Sequence, residues 1–121
     1  MGRLFGLLAI ALVAAPLSAF AAPKLTPATI QSIFGTGIAF VDAEVGGQTY
    51  NLVLRRDGTA TRTSQGTKVV ETGAWRAADS GYCAKWGTSP EQCYSIERVD
   101  PITYDVFDSS NKVIAHWRPT L

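Results

Sequence analysis

From Gly37 onward the chain is cut into short pieces. Gly46-Gly47, Asp57-Gly58, Gln65-Gly66, Asp79-Ser80-Gly81, the Gly87–Glu91 stretch, Asp100-Pro101 and Asp108-Ser109-Ser110-Asn111 are turn or loop signals recurring every 8–14 residues. Between them, Ile38–Val41, Tyr50–Leu54, Thr59–Thr63, Lys68–Ala77, Tyr82–Trp86, Cys93–Val99, Ile102–Phe107 and Lys112–Trp117 read as strands. Tyr50–Leu54 carries the two-residue alternation of a half-buried strand. Connections this short make neighbours in sequence neighbours in space. About eight strands are thus expected in an antiparallel up-and-down meander, forming a small barrel or half-barrel, with a two-sheet sandwich as the alternative. At Asp57-Gly58 a type I′ hairpin turn is expected, with positive φ at both residues.

One helix precedes the strands, within residues 26–35. Thr26 can cap it, Pro27 suits its first position, and Ile30, Ile33 and Phe34 recur at helical spacing before Gly35 and Gly37 stop it. Two turns of helix are not stable alone. The apolar face must therefore pack on the sheet as a plug or lid.

The N-terminus reads as a secretory signal peptide over residues 1–21. Arg3 supplies the positive start, Leu4–Ala15 the uncharged run, Pro16 the break and Ala19-Phe20-Ala21 the small-x-small cleavage site. The run falls short of the roughly 20 apolar residues that span a bilayer. A domain from residue 22 to 121, in the periplasm or secreted, is expected, with no membrane span after cleavage. The remaining hundred or so residues suffice for one domain. Without Arg3 its basic and acidic side chains balance at ten each. Nucleic acid, which draws on a clustered excess of Lys and Arg, is not an expected partner.

Both cysteines, Cys83 and Cys93, fall in one hairpin. In an exported chain such a pair is oxidised by default. Their even separation puts both sulfurs on one face, with Lys85, Ser95 and Glu97. Tyr82, Ala84, Trp86, Tyr94 and Ile96 take the other, core face. The expectation is a disulfide staple on the polar side. A thiol oxidoreductase needs a closer, reactive pair, and structural zinc about four ligands, which two cysteines and the distant His116 do not supply.

Little else carries chemistry. His116, the one histidine, reads as a strand residue near the rim, because sequence brings no nucleophile or orienting carboxylate to it. Asp57 and Asp79 are expected for the sake of their turns. Asp105, Asp108 and Asn111 lack the pattern of a calcium loop. Arg55-Arg56 with Arg62 reads as a solvated basic spot on one hairpin. No cofactor or metal is expected. The rings are numerous for so small a domain, and one or two could line a pocket at the barrel mouth.

Asp57-Gly58-Thr59, Gly73-Ala74-Trp75, Cys83-Ala84-Lys85-Trp86, Cys93-Tyr94 and the closing Tyr104 to Trp117 hairpin resemble a family of small exported bacterial proteins of unknown function. Their shared Gly-x-Trp, Cys-x-x-Trp and Cys-Tyr motifs are structural, so the resemblance implies the fold and the disulfide. Gly-x-Trp also resembles lipocalins, although there the motif opens the barrel and here it lies mid-chain. Small exported lysozyme inhibitors are a fold-level analogue.

The expected function is non-enzymatic: binding of another envelope protein, as an inhibitor or accessory factor, through the Gly87–Glu91 loop and exposed strand edges. The alternative is a calycin-like barrel for a small apolar ligand, walled by Tyr50, Trp75, Trp86, Tyr94 and Trp117 around a cavity beneath the short helix. An enzyme would have to work His116 with a nearby Asp or Ser.

Overall fold

All eight expected strands form. The computed structural model describes residues 23–79 and 81–120, so the expected signal peptide lies outside the described residues. The strands are β1 (Ile38–Val45), β2 (Gln48–Arg55), β3 (Thr59–Ser64), β4 (Val70–Ala78), β5 (Gly81–Trp86), β6 (Gln92–Asp100), β7 (Thr103–Phe107) and β8 (Val113–Thr120). Several outrun the alternation that marks them. β1 continues through Asp42–Val45 because its ladder to β2 runs on to Val45 opposite Gln48. Backbone pairing does not require an apolar side chain.

Each strand pairs antiparallel with the next, and β8 returns to β1, with Val41 opposite Pro119 and Ala43 opposite Trp117. The sheet is a closed up-and-down barrel, which excludes the sandwich. Closure also removes the free strand edges expected as a contact surface, since a barrel leaves no unpaired ladder.

The type I′ turn falls elsewhere than expected. Gly46 and Gly47, with φ of +57° and +81°, join β1 to β2. At the β2–β3 turn only Gly58 has positive φ, at +92°. The Gly58 N–H donates to the Arg55 carbonyl at 3.0 Å, which makes Arg56 and Asp57 the central residues. Asp57 Oδ1 accepts from the Thr59 N–H at 2.9 Å and from its hydroxyl at 2.7 Å, so Asp57 serves the turn through its side chain.

The helix α1 (Pro27–Phe34) is capped by Thr26, whose hydroxyl accepts from the Thr29 N–H. Its buried residues, Ile30 and Phe34, enter one end of the barrel. The Phe34 ring stands edge-on to Tyr104 and Trp117, with centroids 5.5 and 5.6 Å apart. This is the end where β2–β3, β4–β5 and β6–β7 turn: the Arg56 N–H donates to the Gly37 carbonyl at 2.7 Å. The lead-in to α1 completes the wall. The β5–β6 ladder stops at Gly81 opposite Ser95. Beyond it Lys24 bridges to Glu97, and the Leu25 N–H donates to the Ile96 carbonyl at 2.8 Å.

The disulfide joins Cys83 and Cys93, which face each other across β5 and β6 on the outer side of the wall. Cys93 is exposed, but Cys83 is 1% exposed. Arg76 lies beside Cys83 on β4 and donates twice to the Glu91 carboxylate, at 3.1 and 2.9 Å. That carboxylate lies within 4.8 Å of both sulfurs. The staple is on the polar side, as expected, with half of it beneath an ion pair. Cys83, Cys93 and Glu91 are the one grouping of three potential metal ligands among the described residues, and both sulfurs are spent in the S–S bond.

Candidate ligand site at the open end of the barrel

The two ends of the barrel are filled differently. Toward α1, Ile30, Phe34, Leu54, Trp75, Ile96 and Tyr104 pack solidly, each at most 5% exposed. At the other end the interior holds a cavity of about 150 Å³. Tyr50 of β2, Trp86 of β5, Tyr94 of β6 and Trp117 of β8 wall it, with Arg62 of β3. The hollow follows from small side chains. Ala43 and Ala115 face inward on β1 and β8 and line it, where larger residues would fill it. The cavity thus lies opposite the helix, whereas one beneath the helix was expected; there the rings of Phe34, Tyr104 and Trp117 occupy the space.

The indole of Trp86 can lie against the wall because Gly73 is its neighbour on β4. A Cβ on Gly73 would come within 2.8 Å of the Trp86 ring and 2.2 Å of the Lys85 carbonyl oxygen. Glycine in a strand commonly marks such a close approach.

Arg62 brings charge into this mouth. It shares the inner face of β3 with Ala60 and Ser64, both buried. Its Nε donates to the Glu71 carboxylate across the β3–β4 ladder at 2.7 Å. The guanidinium carbon sits 4.5 Å from the Trp86 ring centroid and 5.9 Å from that of Tyr50, within the range of cation–π attraction. The hydrogen bond from Arg62 holds the Glu71 carboxyl below its ordinary value. Burial pushes the phenol of Tyr82, which also lines the cavity, upward, and the phenol of Tyr94 less so. The Tyr50 and Tyr94 hydroxyls donate to Gln48 and Gln92, each two residues back on its own strand.

Four of the five expected wall residues meet here. Trp75 does not. Two positions beyond Gly73 on β4, it belongs to the packed core, and its indole N–H donates to the Arg55 carbonyl at 2.8 Å. The sequence reading also missed Arg62, Glu71 and Tyr82 as site residues. It grouped Arg62 with Arg55-Arg56, but the hairpin separates them: Arg62 points into the mouth, and Arg55 and Arg56 stand at the turn on the helix side. The signal was strand parity, because Arg62 lies two residues from Ala60 and two from Ser64.

The other polar candidates stay apart from this site. His116 is exposed on the outer wall, its Nδ1 2.7 Å from Asp105 Oδ1 of β7. Among the described residues no hydroxyl or thiol bonds its ring. Asp108 Oδ1 accepts from the N–H groups of Ser110 and Lys112 and so ties its own turn. Asn111, with φ of +64°, completes that turn.

No protein family, curated protein or solved structure matches the chain. The site is therefore defined by its own geometry, on a closed antiparallel barrel with a disulfide. Among the described residues no helix is long and apolar enough to cross a membrane.

Proposed function

We propose that this protein is a non-enzymatic binder of a compact small molecule, held in the open end of the barrel. The observation that carries this reading is the uneven interior: rings pack solidly under α1, while at the other end a cavity of about 150 Å³ is left between aromatic walls. Pockets that bury small ligands have this character, mostly apolar with a few placed polar groups. A rigid barrel stapled across β5–β6 presents the walls ready formed. The reading places the protein outside the cytoplasm, with residues 1–21 as an export signal and the disulfide formed there.

Toluene tests it. Titrated into the oxidised protein, toluene should shift the indole N–H resonances of Trp86 and Trp117, leave that of Trp75 in place and raise the melting temperature. Ala43→Leu, which fills the cavity, should abolish these responses with the far-ultraviolet circular dichroism retained. A folded wild-type protein that shows no response would refute the reading.

A second reading, capture of another envelope protein, draws on Ile38 and Phe40, which stand 60% and 53% exposed on the outer face of β1. The Gly87–Glu91 loop is less suited, since Arg76 pins Glu91. Phe40→Asp should then remove any partner recovered from envelope extract by the wild-type protein, and recovery unchanged by the substitution would sink this reading.

A further inference from the structure

The hydrogen-bonding capacity of the mouth is lopsided. Each of its acceptor side chains already takes one hydrogen bond: Gln48 from the Tyr50 hydroxyl at 3.2 Å, Gln92 from the Tyr94 hydroxyl at 2.7 Å and Glu71, on one of its two oxygens, from the Nε of Arg62 at 2.7 Å. What remains, beside the second oxygen of Glu71, are donors. A guanidinium carries five N–H groups, and Arg62 uses one of them among the described residues. The indole N–H of Trp86 and the hydroxyl of Tyr82 have no partner among the described residues. Tyr82 is 8% exposed as a whole, but its hydroxyl is not shut off from solvent, so it is open to a ligand in the cavity that it lines. Burial also keeps that hydroxyl protonated and able to donate.

Size and charge narrow the occupant. A dry apolar cavity of roughly 150 Å³ accommodates benzene, so one ring or a short branched chain fits here and a long acyl chain does not. A cationic ligand is disfavoured, because the aromatic faces of Trp86 and Tyr50 already hold the Arg62 guanidinium. The unspent fork of an arginine matches a carboxylate.

We propose that the mouth takes a compact monocarboxylate, its apolar body against Trp86, Tyr94 and Trp117 and its carboxylate on the free N–H groups of Arg62 and the Tyr82 hydroxyl. This rests on the reading of the mouth as a binding site. The resident Glu71 carboxylate competes for Arg62, so the site favours an acid able to share the guanidinium with it.

Benzoate, toluene and benzylamine, titrated separately into the oxidised protein, test this through the tryptophan indole resonances. Benzoate should shift Trp86 and Trp117 but not Trp75 and bind about tenfold or more tighter than toluene, with benzylamine weakest. A charge-assisted hydrogen bond is worth that ratio. Arg62→Gln should erase benzoate's advantage over toluene. Glu71→Gln should widen benzoate's advantage over toluene severalfold, and serves alone should Arg62→Gln fail to fold. Toluene binding as tightly as benzoate, or benzylamine binding best, overturns the carboxylate and leaves the binding site standing. No shift with any of the three overturns both.

Discussion

Gly73 acts through the side chain it lacks. The Trp86 ring occupies the space where its Cβ would be, and the Lys85 carbonyl is nearer still. Because one of the clashing atoms is backbone, Gly73→Ala forces a shift of the wall rather than a rotamer change. It should cost about 1–3 kcal/mol, the usual range for overpacking, and weaken probe binding as Trp86 is displaced. Gly37→Ala is the control. Nothing lies within 4 Å of a Cβ there, so its effect should stay within about 0.5 kcal/mol. Urea unfolding followed by tryptophan fluorescence compares the two. Arg62 makes the complementary point about legibility. An arginine in a Thr-rich strand looks solvated on composition alone. Its parity with Ala60 and Ser64 aims it inward, yet parity does not say that Glu71 waits on the neighbouring strand.

The β5–β6 hairpin was the most legible element. Even spacing of the cysteines placed the sulfurs outside and Tyr82 and Ile96 inside, and the barrel follows that assignment. The burial of Cys83 was not legible, because its cover comes from Arg76 on β4 and Glu91 in the loop. Cys93→Ser should lower stability by roughly 2–3 kcal/mol, the loop-closure value for a ring of this size. Denaturant midpoints of oxidised wild type, reduced wild type and the variant check this: the last two should fall together, well below the first. The helix was also readable, from its cap, its proline and its apolar spacing. Its lead-in was not, since Lys24 and Leu25 complete a ladder left short by β5.

For the whole molecule, stability against pH should be a plateau bounded on both sides. Asp57, Glu71, Glu91 and Asp100 are held below their ordinary values by the Thr59 N–H, Arg62, Arg76 and the Ile102 N–H, respectively. The folded chain thus releases these protons at lower pH than the unfolded chain does. In between, the unfolded chain binds more protons, so stability is full above the ordinary carboxyl values and falls as pH drops below about 4. Tyr82 acts in the opposite sense. Burial raises its phenol, so above about pH 10 the unfolded chain ionises first and stability falls as pH rises. Melting temperatures across this span, with near-ultraviolet absorbance for the phenols, provide the check. A Tyr82 phenol that ionises before the barrel opens would contradict it. By itself the sequence determined the order of the elements, the inner and outer faces of β2, β5 and β6, and the pairing of the two cysteines. These follow from a two-residue backbone period and from turn chemistry, which are local. Only the tertiary structure decided that the sheet closes, that the helix plugs one end and that the hollow lies at the other. Those outcomes depend on which residues meet across the barrel: Ala43 and Ala115 leave space among the rings, and Phe34 fills it among others. No local pattern records such meetings.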